Sequence, residues 1–99
     1  MSCYFMASIR INDPETYQNY IDRADEVFAR YNGIYLAVDD QPEVLEGNWT
    51  YTRAVLIRFD DPTDFHAWYR SKEYEEILKY RLLASECDSI LIHGVSDTQ

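Results

Sequence analysis

Apolar and polar positions alternate along the first stretch of the chain. Phe5, Ala7, Ile9 and Ile11 fall on one parity, which predicts a strand with one buried face. From Pro14 to about Tyr31 the period changes. Tyr17, Tyr20, Ile21, Ala24, Val27, Phe28 and Tyr31 recur at steps of three and one, the stripe of a helix that buries one side. Asp22, Arg23, Asp25, Glu26 and Arg30 occupy the other side. Asp13 before Pro14 is a start signal: a carboxylate can accept from the free N–H groups of the first turn, and proline at the first helical position gives up no needed donor. Asn32-Gly33 ends the helix, with Gly33 expected in the left-handed cap, and a short strand follows from Ile34 to Val38.

The second half repeats the first. Ile9-Arg10-Ile11-Asn12-Asp13-Pro14 returns 48 residues later as Ile57-Arg58-Phe59-Asp60-Asp61-Pro62, and Tyr17 and Tyr20 match Phe65 and Trp68. A strand from Arg53 to Phe59 leads into a helix from Pro62 to about Tyr69. Ser71 with Glu73 and Tyr74 marks a fresh start, and a further helix carries Tyr74, Ile77, Leu78, Arg81 and Leu82 on one face. Ser89 to Gly94 supplies the last strand. The order β-α-β-β-α-β predicts an α+β, ferredoxin-like fold: a four-stranded antiparallel sheet, strand order 4-1-3-2, both helices on one face. Strands 1 and 3 are expected at the centre, parallel to each other. About 14 residues, Asp39 to Thr52, join strands 2 and 3, more than a hairpin needs.

Parity then divides the strands. The helix side receives Phe5, Ala7, Ile9 and Ile11; Val55, Ile57 and Phe59; Ile34, Leu36 and Val38; Ile90 and Ile92. The open side receives Tyr4, Met6, Ser8 and Arg10; Ala54, Leu56 and Arg58; Tyr35 and Ala37; Leu91 and His93. That second set is too apolar for water and too polar for a closed core. It predicts a homodimer, sheet against sheet, able to enclose a small-molecule cavity. The alternative is a solvated sheet face on a monomer.

Composition limits the functions. The 99 residues hold 9 basic and 18 acidic side chains, a net charge of −9, with 46% hydrophobic and 27% charged residues. One small folded domain over 1–99 fits those numbers. Such acidity excludes nucleic acid and anionic membrane surfaces as partners. No run is long and apolar enough to span a bilayer, and no secretory signal pattern opens the chain, so a cytoplasmic location is expected. Cys3 and Cys87 lie at opposite ends of an expected antiparallel pair and are expected as free thiols. No metal-ligand spacing is present, and three glycines leave no phosphate loop, so neither metal nor cofactor is expected. Asn48-Trp49-Thr50 matches a glycosylation sequon but has no secretory context.

With these elements in place the sequence resembles the domain of unknown function 1330 family, of dimeric α+β-barrel type. Asp13-Pro14 with Tyr17 and Tyr20, Val44-Leu45-Glu46-Gly47, Trp68-Tyr69 with Ser71 and Glu73-Tyr74, and then Arg81 carry the resemblance over nearly the whole chain. Where many relatives have Gly-Gly before strand 2, this chain has Asn32-Gly33. The resemblance implies a small cytosolic homodimer without an established activity. It extends at fold level to cofactor-independent oxygenases and isomerases, which is weak ground for assigning chemistry.

Two constellations carry candidate chemistry. Arg10 and Arg58, at equivalent positions on the central strands, are expected side by side. Like charges there call for a bound carboxylate or phosphate, or for neutralisation by Asp60, Asp13 or the partner chain. The second set is Glu46, Trp49, Ser71, Tyr74 and Arg81. Arg81 on an apolar stripe asks for a bidentate carboxylate, either Glu46 or that of a ligand, unless it reaches water at the helix edge. Ser71 can serve simply as a helix cap. Among nine tyrosines, Tyr35 and Tyr4 are candidate pocket groups beside His93, the candidate general base if the protein is an enzyme. The competing readings are a cofactor-independent oxygenase or isomerase and a pure interaction or regulatory module without a ligand.

Overall fold

A computed structural model describes residues 1–95. Its elements are β1 (Cys3–Ile11), α1 (Pro14–Ala29), β2 (Gly33–Asp39), β3 (Arg53–Phe59), α2 (Pro62–Tyr69), α3 (Lys72–Ala84) and β4 (Ser85–His93). They form one four-stranded sheet in the order β2-β3-β1-β4, as the repeat predicts. Both Asp-Pro starts work as expected: Asp13 accepts from the Thr16 N–H and Asp61 from the Thr63 N–H. Ser71 caps α3, accepting from the Tyr74 N–H at 3.0 Å while donating to the Trp68 carbonyl at 2.8 Å.

The core lies between the sheet and the helices. Phe5, Ala7, Ile9, Val55, Ile57 and Phe59 meet Tyr17, Phe28, Phe65, Trp68, Tyr74 and Ile77, all buried. Trp68 is the centre, with ring centroids 5.5 Å from Phe5 and 4.1 Å from Tyr74. Leu82, placed on the buried stripe from its spacing, is instead exposed, because the stripe continues through Arg81 and Ala84.

Four expectations about the sheet need correction. First, β1 and β3 are antiparallel, with Tyr4 opposite Arg58 and Ile9 opposite Arg53. Each β-α-β half joins parallel strands, and interleaving the halves makes the central neighbours antiparallel. Second, β4 begins at Ser85, and Leu91 opposite Phe5 faces the helices, so Ile90 and Ile92 face outward. Third, Tyr35 opposes Ile57 and packs edge-on against Phe28 at 4.4 Å, on the helix side; a bulge at Leu36 then shifts the register so that Ala37 opposes Leu56. Fourth, Asn32 takes the left-handed conformation, φ 64°, and Gly33 does not. Gly33 is required for space: a Cβ there would sit 2.9 Å from the Phe59 ring and 3.1 Å from the Phe28 carbonyl oxygen.

Candidate functional site

The outer face of the sheet has no element over most of it. Met6, Ile34, Leu36, Ile90 and Ile92 are exposed there, beside half-buried Tyr4 and Leu56. At one end the β2–β3 connection folds across the face. Arg10 donates from Nε to the Thr50 carbonyl at 3.1 Å, pairs with Thr50 Oγ1 and Glu86, and lies 5.1 Å over the Tyr51 ring. Tyr51 in turn donates to Asp88. Trp49 stacks edge-on against Tyr51 at 5.0 Å. It borders a hollow of about 230 Å³ lined by Met6, Ala37, Ala54 and Leu56.

Arg10 and Arg58 are therefore not brought together. Antiparallel pairing sends them to opposite ends of the sheet. Arg58 pairs with Asp60 at 2.9 Å and Ser2 Oγ at 2.7 Å, the Asp60 neutralisation that the sequence left open. His93 opposes Cys3 and therefore has the helix-side parity, exposed at the sheet's end. Six residues of strand, about 20 Å, separate it from Cys87, so it cannot act with the groups around Arg81.

Those groups form the second site, on the helix side. Arg81 comes from α3, Tyr17 and Tyr20 from α1, Arg53 and Tyr35 from β3 and β2. Together they line a small cavity of about 20 Å³, room for a water. Arg81 is 3% exposed. Its side chain's one hydrogen bond among the described residues runs from Nη1 to the Cys87 Sγ at 2.7 Å, and its guanidinium lies 5.8 Å over the Tyr20 ring. Glu46 is not its partner. It is exposed on the β2–β3 connection, while Arg81 faces inward from α3. Tyr20 and Tyr74 share a hydroxyl–hydroxyl hydrogen bond of 2.8 Å. The Nε atoms of both Arg81 and Arg53 are buried without an acceptor.

Burial sets the protonation states here. It pushes the Tyr17 phenol up to about 12 and Tyr20 well above the ordinary range. The Cys87 thiol also rises, through burial, although neighbouring Arg81 pulls the other way. Neutral phenols and a neutral thiol thus surround a permanent cation.

An open groove of about 400 Å³ at the start of α1 shares Tyr17, Ile21 and Arg53 with the cavity. Arg53 is held there by Asp40, Nη1 to Oδ1 3.0 Å. Arg53 and Asp40 are not among the candidates that the sequence offers, and Cys87 is read there only as a free thiol. Arg53 was legible, since it shares the inward parity of Val55 and Ile57. Among the described residues no group of three or more His, Cys, Asp or Glu could hold a metal, and no helix is long and apolar enough to cross a membrane.

The sequence model of a family described as a domain of unknown function (DUF1330) matches residues 2–95. No curated protein matches the chain. Solved structures share its fold. A protein of unknown function from Rhodopseudomonas palustris is 16% identical with a TM-score of 0.80, covering 96% of this chain and 83% of its own. SnoaB, a cofactor-independent oxygenase from Streptomyces nogalater, is 12% identical with a TM-score of 0.71, covering 96% and 94%. A dimeric ferredoxin-like protein of unknown function from Thermobifida fusca is 19% identical with a TM-score of 0.70, covering 95% and 92%. At these identities the likeness is one of fold.

Proposed function

The chain belongs to the DUF1330 family, whose description names no reaction, and from the geometry we propose a homodimeric small-molecule-binding protein. Two copies pair through their outer sheet faces, and each protomer takes its ligand on the helix side. The observation that carries the binding reading is buried Arg81, without a carboxylate partner among the described residues, on a cavity that shares Tyr17, Ile21 and Arg53 with the open groove at the start of α1. Pairing through the sheets is supported by the uncovered apolar face and by the dimeric state of the similar Thermobifida fusca protein. Four strands of seven to nine residues present a face about 19 Å by 25–30 Å. With the β2–β3 connection that approaches the roughly 800 Å² per partner of a stable interface.

The hollow under Trp49 is lined by Met6, Ala37, Ala54 and Leu56 and presents little beyond apolar surface. It suits packing against a second copy better than holding a polar ligand. Sedimentation should show a species of twice the 11.7 kDa chain, and Leu56→Glu should return it to monomer. NMR titration with a fragment library should move the signals of Tyr17, Ile21 and Arg53. A wild-type monomer at tens of micromolar would refute the dimer. Fragments that shift only outer-face residues would refute the helix-side pocket.

A further inference from the structure

We propose that the ligand of the helix-side cleft is a monocarboxylate with an apolar body, gripped by Arg81 and Arg53, and that Asp40 occupies Arg53 until the ligand's carboxylate replaces it. This rests on reading the cleft as the ligand site and adds the chemical class and the exchange.

Arg81 is the starting point. A guanidinium carries five N–H donors and a charge that burial does not remove. Here it is almost wholly buried, with one weak sulfur acceptor and no carboxylate within 4 Å among the described residues. A buried cation in that state is costly, and the cost is relieved by an anion. Arg53 repeats the pattern at the other side of the same cavity: its Nε is buried and unpartnered, and only its Nη1 reaches Asp40. Two guanidinium groups with unsatisfied donors on one cavity fit a planar two-oxygen acceptor.

The remaining walls define the rest of the molecule. Tyr17, Tyr20 and Tyr35 supply aromatic surface, and Val55 and Ile57 supply aliphatic surface. Tyr20 lines the cavity and is held by its hydroxyl–hydroxyl bond to Tyr74. Apart from the two arginines and the tyrosine hydroxyls the lining is apolar, which suits a ligand with an apolar body.

Asp40 holds Arg53 from the side of the groove. The space beyond Arg53 admits a water and no more, while the groove outside it is some twentyfold larger. The Asp40 carboxylate is 70% exposed, so the ion pair is weak and exchange is cheap. A ligand carboxylate offers Arg53 the same partner, and its body follows as the arginine swings inward.

The test is NMR and calorimetric titration of the full-length protein with acetate, butyrate, benzoate and phenylacetate, each against its amide, and with inorganic phosphate. Carboxylates should bind at least tenfold tighter than their amides and shift Tyr17, Tyr20 and Arg53. Asp40→Asn should tighten carboxylate binding about fivefold, the worth of one exposed ion pair. Arg81→Gln should remove the preference over amides, and Arg81→Lys should keep part of it; the unliganded spectra report whether each variant is folded. Amides binding as well as acids would overturn the carboxylate assignment and leave the pocket standing. Phosphate binding as tightly as the carboxylates would also overturn it. No shift in the cleft from any acid, amide or fragment would overturn both. Unchanged affinity in Asp40→Asn would overturn the exchange.

Discussion

Replacing Arg81 by methionine should make the unliganded protein more stable. From the stripe alone, Arg81 reads as a structural cation tied to Glu46, and its loss would then cost stability. The structure reverses that sign. Desolvating the guanidinium costs several kcal/mol. Against this stand one hydrogen bond to a sulfur at 2.7 Å and a cation–π contact with Tyr20 at 5.8 Å, together about 1–3 kcal/mol. Methionine keeps most of the unbranched stem and adapts to the space. The net gain is about 1–3 kcal/mol. Urea unfolding, followed at one protomer concentration and free of small acids, reads this as a midpoint raised by about 0.5–2 M. A thermal scan reads it as a rise of about 4–8 °C per kcal/mol. Glu46→Ala should leave both midpoints unchanged. A loss of more than about 1 kcal/mol in Arg81→Met would refute the reasoning, since it would mean that the fold needs the charge.

Gly33→Ala should destabilise by about 1–3 kcal/mol, because the new methyl meets the Phe59 ring and the Phe28 carbonyl; an unchanged unfolding midpoint would contradict that contact. Stability should fall as pH rises from about 10 to 12: Tyr17 at about 12, with Tyr20, Tyr35 and Tyr74 also raised by burial, holds its proton more tightly folded than unfolded, so its contribution is complete below pH 10 and is lost as pH climbs through the folded value. Tyr17→Phe should flatten that decline in a urea series run at each pH. Cys3 and Cys87 are both raised by burial, so iodoacetamide at pH 7 should label them more slowly in the native protein than in urea. An oxidised chain with an internal bridge would contradict the register, which puts Cys3 opposite His93 and Cys87 opposite Ile9.

The repeat made the architecture legible because each copy carries its own start signal: Asp13-Pro14 and Asp61-Pro62 act through local hydrogen bonds that no distant residue can overrule. Parity worked in β1 and β3, the central strands, where one face packs on helices and the other holds Arg or Ser. It failed in β4 and β2, the edge strands. Ile90, Leu91 and Ile92 are apolar on both parities, so alternation marks nothing there. In β2 the bulge at Leu36 breaks the period of two. Those slips moved His93 and Tyr35 to the wrong face, and with them the candidate site. Arg53 needed only the parity already assigned to Val55. The Arg81–Cys87 contact, in contrast, depended on where β4 begins, which the polar run Ser85–Ser89 conceals.

The distribution of charge sharpens the case for Arg81. Acidic side chains outnumber basic ones two to one, so a cation at the surface has little difficulty finding a carboxylate. Arg10, Arg23, Arg30, Arg53 and Arg58 each have one within 4 Å. Arg70, Lys72 and Lys79 have none among the described residues and stand in water, where they need none. Among the described residues Arg81 alone has neither water nor an acid. A side chain that only stabilised the fold would gain nothing from a charge in such a place, and any aliphatic residue would fill it at lower cost. The surroundings make the same point from the other side. Tyr17, Tyr20 and Cys87 are groups that burial keeps neutral, so none of them can become the missing counter-charge near neutral pH. An anion bound from outside the protomer core is what the proposed ligand would supply, and Arg53, paired with Asp40, stands between the cavity and the open groove.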